Sequence, residues 1–413
     1  HVRTIKIINS VRLAKGAKAP FLLSGSGIIP ALCLWSLELF SVFKKKRSPS
    51  VDVFKDVISQ EYHGINHRDL SHGSLRVIEI LQQAGYEAYL VGGGIRDLLL
   101  GKHPKDFDVA TSAKPAEVQK LFRKSRIIGR RFQIVHVRMG PEIIEVTTFR
   151  GSAENSHLQQ ANASGMLVRD NVFGTVEDDA VRRDFTMNAL YYDPSNHEVL
   201  DFVGGYDDLE DGVIRIIGNP ETRYREDPVR MLRAVRFIGK LGLELEEDTA
   251  EPIRRLAPLL RDVSPSRLFD EILKLLQAGH GQATFPELVK YDLLRPLFPQ
   301  TEALLSESDD LHYQRLIDLA LLNTDTRLNE GKSVTPAFLY AALHWPQVQH
   351  RWEELEAEGH GRTQALAIAC SETLDFNQQF IAIPKRFSVT IREIWELQVN
   401  PERCRYIREA FNA

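Results

Sequence analysis

Asp106 and Asp108 stand two residues apart, shortly after the consecutive glycines Gly92, Gly93 and Gly94. In a strand, side chains at i and i+2 share a face, so both carboxylates point the same way. Charges so placed repel unless a cation sits between them. Mg²⁺ takes hard oxygen ligands of this kind and completes its shell with substrate phosphates; Mn²⁺ accepts the same donors. Alone, such a pair is a solvated strand face. Beside a glycine turn it becomes a candidate metal site. Gly92 and Gly93 lack a Cβ, so their N–H groups can approach an anion closely. A helix over Ile95–Leu100 would add the positive end of its dipole. A glycine turn by itself is equally a plain connection. The dinucleotide-binding fingerprint fails, because Asp97 stands where its third glycine belongs, and the P-loop lysine is absent.

Holding two ions calls for a third acid. Glu145 is the first choice: it lies in the strand-like run Ile143–Phe149, flanked by apolar residues. A carboxylate buried in a strand must be paired or metal-bound. Asp184 is the second choice.

The elements that position these groups follow from periodicity. Tyr86–Val91 reads as a strand entering the turn. Leu75, Ile78 and Leu81 recur at helical spacing and Gly85 stops that helix. Pro115 opens another helix, with Val118, Leu121 and Phe122 on one face. Strands follow at Gln133–Arg138 and Ile143–Phe149, which makes a small mixed sheet covered by helices. Gly151–Gly165 is polar and reads as a flexible loop. Val199–Ile217 reads as a hairpin-like connector. Asp227-Pro228 is a helix start, with an acid at the N-cap and proline at the first position. Arg230, Arg233 and Arg236 then fall along one face, a solvated stripe unless they have a task. From Glu251 onward the chain is mostly helical, and Trp345 and Trp395 read as packing anchors.

The glycine turn GGxxRD, the Asp106/Asp108 pair, the run RRDFTMNA from Arg182 to Ala189 and the run EDPVR from Glu226 to Arg230 occur in that order. Together they resemble the class II nucleotidyltransferases, the family of bacterial poly(A) polymerases and tRNA CCA-adding enzymes. The resemblance runs from about His67 to at least Phe237. Ile127–Val137 resembles the stretch that marks the poly(A) polymerase branch, and no adjacent His-Asp pair signals an appended phosphohydrolase. The resemblance implies an α+β chain with a nucleotidyltransferase head, a small mixed sheet with helices, followed by an all-α neck and body. It divides the chain into an extension at 1–60, poorly ordered, a catalytic head at 61–195, a neck at 196–265 that binds nucleotide and RNA, and a helical, RNA-binding body at 266–413.

The implied reaction is template-independent transfer of AMP from ATP to RNA 3′ ends, with Asp106 and Asp108 holding two Mg²⁺ ions, or Mn²⁺, and with Glu145 and Asp184 as further catalytic acids. Gly92, Gly93 and Arg96 would hold the triphosphate, with Asp97 orienting the turn or Arg96. Arg183, Asp184 and Asn188 match the ribose-reading motif. Asp227 and Arg230 match the base-reading positions. Arg130, Arg131, Arg233 and Arg236 are candidates for phosphate contacts to RNA. The expected partners are ATP and the 3′ ends of mRNA and other transcripts, not DNA, and a monomer is expected. Members of the family commonly continue into an arginine-rich tail. This sequence is read as lacking one, which implies weaker RNA affinity or a truncated chain.

Composition bounds these readings without deciding among them. The 413 residues suffice for several domains, and 43% hydrophobic and 26% charged residues are ordinary for a soluble chain. Net charge is −4, so any basic surface for nucleic acid must be local. Cys33, Cys370 and Cys404 are isolated, which suits a reducing cytosol. Phe21–Phe43 is apolar but broken by Ser24, Ser26, Pro30 and Glu38, and Lys44 to Arg47 follow it. That is a poor membrane span and an inverted signal peptide, so membrane contact by the extension is not expected. The rival readings are a CCA-adding enzyme, a non-catalytic RNA-binding protein on the same scaffold, and an oxidoreductase.

Overall fold

The structure, a computed structural model, describes residues 53–129, 133–151, 160–161, 167–169, 172–307 and 311–399. Its head is built on eight strands: β1 (Asp56–Ser59), β2 (Ala88–Val91), β3 (Asp108–Thr111), β4 (Ser125–Ile128), β5 (Ile134–Met139), β6 (Glu142–Thr148), β7 (Leu190–Asp193) and β8 (Glu198–Asp201). They lie in the order β1-β8-β7-β2-β3-β6-β5-β4. Only β3 and β6 run parallel within this sheet; every other neighbouring pair is antiparallel.

Helix α1 (His72–Gln83) crosses one face of the sheet. Ser71 caps it by accepting from the Ser74 N–H at 3.1 Å, and Val77, Ile78 and Leu81 face inward. Helix α3 (Pro115–Leu121) packs beside it. Val109, Val135, Val137, Ile144 and Val146 meet these helices in the main core. A smaller core on another side joins Val91, Ala110, Phe149, Tyr191 and Phe202 to Val176 and Ala180 of α4 (Val176–Arg182). Asp108, the first residue of β3, and Glu145, midway along β6, are both exposed at the surface of this sheet.

Residues 1–52, most of the predicted extension, lie outside the described residues. The remainder corrects the expected boundary: β1 falls inside 1–60 yet pairs along β8, Val57 opposite Leu200. Strand β8 itself lies beyond residue 195, so the sheet of the head runs past that boundary. The hairpin-like connector is also corrected. Val199 belongs to β8, a short helix α5 (Gly205–Glu210) follows, and Val213–Ile214 pairs parallel with the distant Glu244–Leu245. Of the predicted flexible loop, residues 152–159 and 162–165 lie outside the described residues, and Gln160–Ala161 pairs with Leu167–Arg169.

The rest is helical: α6 (Pro220–Glu226), α7 (Val229–Leu241), α8 (Glu247–Leu256), α9 (Pro265–Leu276) and α10 (Gly281–Lys290), then α11 (Leu294–Leu297), α12 (Pro299–Glu307), α13 (Leu311–Asn329), α14 (Pro336–Ala357), α15 (Arg362–Gln378) and α16 (Lys385–Val399). Leu268, Ile272, Leu275 and Leu276 form the buried face of α9. Trp395 is fully buried and its indole N–H donates to the Ala341 carbonyl at 3.0 Å, the geometry of an anchor. Among the described residues no helix is long and apolar enough to cross a membrane.

Candidate functional site

Strand β2 ends at Val91, opposite Asp108 of β3. The chain then turns at Gly92 with φ 78°, a left-handed conformation that favours glycine. Helix α2 (Gly93–Leu99) follows at once. A Cβ on Gly94 would come within 3.0 Å of the Phe107 ring and 3.2 Å of the Asp106 carbonyl. The third glycine is therefore what lets the turn lie against the segment carrying the acids. Helix α2 has seven residues, so the dipole expected of it is slight, and the bare backbone at Gly92 and Gly93 does more to admit an anion.

Asp106 lies in the loop just before β3, Asp108 is the first residue of that strand, and buried Phe107 pins the segment between them. Parallel pairing aligns Val109 with Val146, which sets Asp108 beside Glu145 on the next strand. Asp108 remains open to solvent, yet the surrounding protein pushes its carboxyl up to about 6: desolvation leads, Glu145 and Asp106 add to the rise, and Arg183 opposes it. Three acids thus share one patch of field. Glu145 is not buried, as its apolar neighbours led us to expect. Ile144 and Val146 point into the core, while Ile143 and Glu145 face out. The imidazole of His136, opposite on β5, lies 3.2 Å from its carboxylate. Among the described residues no group of three or more His, Cys, Asp or Glu side chains closes around a single metal position.

A second cluster, rich in arginine, backs the turn. Arg96 is 3% exposed. Its Nε donates to Asp97 Oδ1 at 2.8 Å and its Nη1 to Asn188 Oδ1 at 2.6 Å. Lys240 of α7 donates to the other Asp97 oxygen at 2.9 Å. Asn188 passes the link on, from Nδ2 to Asp184 Oδ1 at 3.0 Å. Asp184 Oδ2 accepts from Arg233 Nε at 2.6 Å. Burial alone would raise the Asp184 carboxyl; Arg233, Asn188 and the Phe185 N–H outweigh it and hold it well below the usual carboxylate range. The partners of Asp184 are these groups, and none is one of the three acids. Arg183 lies between the clusters: its guanidinium holds Asp179 and the Tyr191 hydroxyl, and a Cβ on Gly92 would sit 3.5 Å from its Nη1.

The neck carries the remaining predicted residues. Asp227 does not cap α7 as an N-cap residue; it ends α6, Pro228 takes the cap position, and the Val229 N–H reaches Asp227 Oδ1 at 3.4 Å. Its other oxygen accepts from Arg267 of α9 at 2.8 Å. Arg230 donates to Glu226 at 2.9 Å and to the Arg223 carbonyl at 2.7 Å. The arginine stripe is not solvated. The guanidinium carbons of Arg96, Arg233 and Arg236 lie 5.0, 5.6 and 5.2 Å from the centre of the buried Phe237 ring. Burial pushes the Arg236 guanidinium down to about 10, with Arg233 adding to the fall and Glu271 opposing it. Arg233, expected to hold RNA phosphate, is instead occupied by Asp184. Arg130 and Arg131 lie outside the described residues.

Sequence reasoning missed Lys240, Arg267, Arg223 and Phe237. Nothing in their local pattern marks them, since each acts on a partner distant in sequence or on another element.

The chain resembles known proteins along most of its length. A family model described as "Poly A polymerase head domain" matches residues 88–215, and one described as "Probable RNA and SrmB- binding site of polymerase A" matches 242–305. A third, "Polymerase A arginine-rich C-terminus", matches 358–410 and corrects the reading that such a segment is missing. Poly(A) polymerase I of Escherichia coli O6:H1 is 53% identical over 352 residues, covering 84% of this chain and 76% of that protein. The Haemophilus influenzae poly(A) polymerase I is 49% identical over 350 residues, covering 84% and 77%. The crystal structure of the Bacillus stearothermophilus CCA-adding enzyme in complex with CTP superposes with a TM-score of 0.51 at 30% identity, covering 78% and 81%. The chain belongs to the bacterial poly(A) polymerase I family of nucleotidyltransferases.

Proposed function

We propose that the chain adds AMP from ATP, without a template, to the 3′ ends of mRNA and other transcripts, in their processing and decay. The observation that carries this reading is the alignment of Asp108 beside Glu145, with Asp106 close by, at the strand end facing the Gly92 turn. A seat for cations and a cradle for phosphate then share one strand end.

The donor set fits Mg²⁺, as two ions, or Mn²⁺. All the donors are carboxylate oxygens, and Mg²⁺ rarely has an all-protein cage, because water and substrate phosphates complete its shell. Asp106 and Asp108 would hold the ions, with Glu145 as the third acid. Bound there, the metal would supply charge neutralisation and polarisation of the reacting oxygens.

The chain's own residues do the positioning. The Gly93 N–H, with the Arg183 guanidinium near the turn, borders the triphosphate, while the Gly92 N–H donates to the Leu190 carbonyl at 3.3 Å and anchors the turn to β7. Arg96, clamped by Asp97 and Asn188, shapes the turn from below and lends it positive charge. Asp184 and Asn188 face the ribose, where an acid accepting from the 2′-hydroxyl favours ATP over dATP. Asp227 offers an acceptor and Arg230 a fixed donor fork to the base edge. Arg130, Arg131 and Arg236 serve RNA phosphates. The RNA 3′-oxygen attacks the α-phosphorus in line, the bond to the β-phosphate oxygen breaks and pyrophosphate leaves. No side-chain nucleophile is required.

The test is primer extension with Mg²⁺, each NTP offered singly to oligo(A) and to a tRNA lacking its CCA end. A long ladder from ATP on oligo(A) is expected. Addition of CCA alone to the tRNA would move the assignment to the tRNA repair enzyme.

A further inference from the structure

The ribose-side and base-side residues sit on separate elements. Arg183 and Asp184 follow the last turn of α4, while Asp227 and Arg230 lie where α6 meets α7. A bound nucleotide must span both. A purine carries its amino and ring-nitrogen edge farther from the sugar than a pyrimidine does. A reader made of one acceptor and one donor fork therefore tells adenine from cytosine by distance, and only if its distance to the ribose is fixed.

Arg223 of α6 joins the two sides. Its Nη2 donates to the carbonyls of Arg182 at 2.8 Å and Arg183 at 2.5 Å. These are the last residue and the C-cap of α4, where carbonyls lack helical partners and a cation is favoured. Its Nη1 donates to Glu226 Oε2 at 2.9 Å. Arg230 donates to that same oxygen at 2.9 Å and to the Arg223 carbonyl at 2.7 Å. One rigid, planar fork thus reaches the backbone of Arg183 and the side-chain partner of Arg230. An ammonium on a flexible stem has no such geometry.

The arrangement is not the most stable one available. Burial pushes the Arg223 guanidinium down to about 10, with Arg230 adding to the fall. Its Nε is buried with no partner among the described residues. An unmade buried hydrogen bond and an imperfectly repaid buried charge both oppose folding, and an apolar side chain would avoid them.

Building on the function proposed above, we infer that Arg223 is a positioning residue for nucleotide selection. It fixes the spacing between the Arg183–Asp184 side and the Asp227–Arg230 side, so that adenine, not cytosine, meets the reader.

The experiment measures kcat and KM for ATP and for CTP on one oligo(A) primer, with the wild-type chain, Arg223→Lys, Arg223→Gln and Tyr224→Phe. Tyr224 is a buried neighbour whose hydroxyl donates to the Thr249 carbonyl at 2.9 Å, so its variant perturbs the neck without touching the link. Circular dichroism and thermal melts establish folding. In folded Arg223→Lys the ratio of kcat/KM for ATP over CTP should fall by on the order of tenfold, the scale of loss that sub-ångström misplacement brings. The KM for primer should stay put, and Tyr224→Phe should keep the wild-type ratio. An unchanged ratio in folded Arg223→Lys, an equal loss in Tyr224→Phe, or failure of both Arg223 variants to fold would each overturn the inference. A wild-type chain that adds no AMP would instead overturn the function on which it rests.

Discussion

The acidic strand end and the arginine cluster border the same turn and solve opposite problems. Asp106, Asp108 and Glu145 are exposed, and desolvation by the surrounding protein, with repulsion from Glu145 and Asp106 added, raises Asp108. Arg96, Arg183, Arg223 and Arg233 are recessed, and each is engaged by a carboxylate. Buried charge is tolerable only when paired and hydrogen-bonded. Apart from the Arg223 Nε, which has no partner among the described residues, the arginine cluster is satisfied from within, and a carboxylate removed from it leaves an orphan. Among the described residues the acids have no carboxylate-to-arginine pairing of that kind, an arrangement suited to an added cation. One cluster fixes geometry; the other is left open for chemistry.

The sharpest way to break this contrast is Asp108→Ala. Addition of AMP should fall by on the order of a thousandfold or more, about 4 kcal/mol of barrier, while the circular dichroism spectrum stays unchanged. Activity within tenfold of wild type would remove Asp108 from the chemistry.

The opposite result is expected from the arginine side. Arg233→Met strands Asp184, whose side chain is 13% exposed, and should cost roughly 3–5 kcal/mol of stability in urea unfolding. The Asp184 carboxyl is held below its unfolded value of about 3.9. Its contribution is therefore present above that pH and lost as pH falls through the folded value. Arg233→Met should accordingly lose most against wild type near neutral pH and converge with it in acid. A uniform loss at all pH values would mean that packing against Phe237, not the ion pair, carries the effect.

The sequence pointed to the acids and to Arg96, Arg183 and Arg233, but left the partners of those arginines, and Arg223 altogether, unread, for a physical reason. The glycine turn, the strand before it and the helix after it are local events. The parallel alignment of β3 with β6, which sets Asp108 beside Glu145, is a long-range pairing that only the structure supplies. What failed depends on distant partners. Strand β1 is short, and its partner β8 lies some 140 residues away. Asp227-Pro228 reads as a helix start because the acid–proline pair has that local meaning, but α6 already occupies the preceding turn and Arg267 takes the carboxylate. Arg230, Arg233 and Arg236 at spacings of three look solvated until the head is folded against α7. Glu145 does lie beside Asp108, but not on a buried face. Its neighbour Ile143 is 60% exposed, so an apolar flank did not mean a buried face.

Metal binding can be separated from activity. Asp108 titrates higher in the folded chain, about 6, than unfolded. Below the unfolded value both states are protonated and it contributes nothing; above about pH 6 it opposes folding in full. Asp108→Asn should therefore stabilise the metal-free protein at pH 7–8 and not at pH 3.5. Mg²⁺ should narrow that difference. At ten times its dissociation constant it should raise wild-type stability by about 1.4 kcal/mol and leave Asp108→Asn nearly unmoved. Equal shifts in the two proteins would place the ion elsewhere.

The smallest effect tests whether the acids are truly open. His136 is the one hydrogen-bonding side-chain partner seen for Glu145 among the described residues, and both groups are well exposed, at 32% and 49% of their side-chain surface. An exposed pair of this kind contributes at most about 1 kcal/mol. His136→Gln keeps a side-chain amide able to donate and removes any positive charge. If the acids await only a cation, this variant should keep activity within about threefold and stability within about 0.5 kcal/mol of wild type. A larger loss of kcat, with KM for ATP unchanged, would mean that Glu145 must be held by the imidazole to act. The acidic strand end would then be built with the same internal support as the arginine cluster, and the contrast between open chemistry and closed geometry would have to be redrawn at that residue.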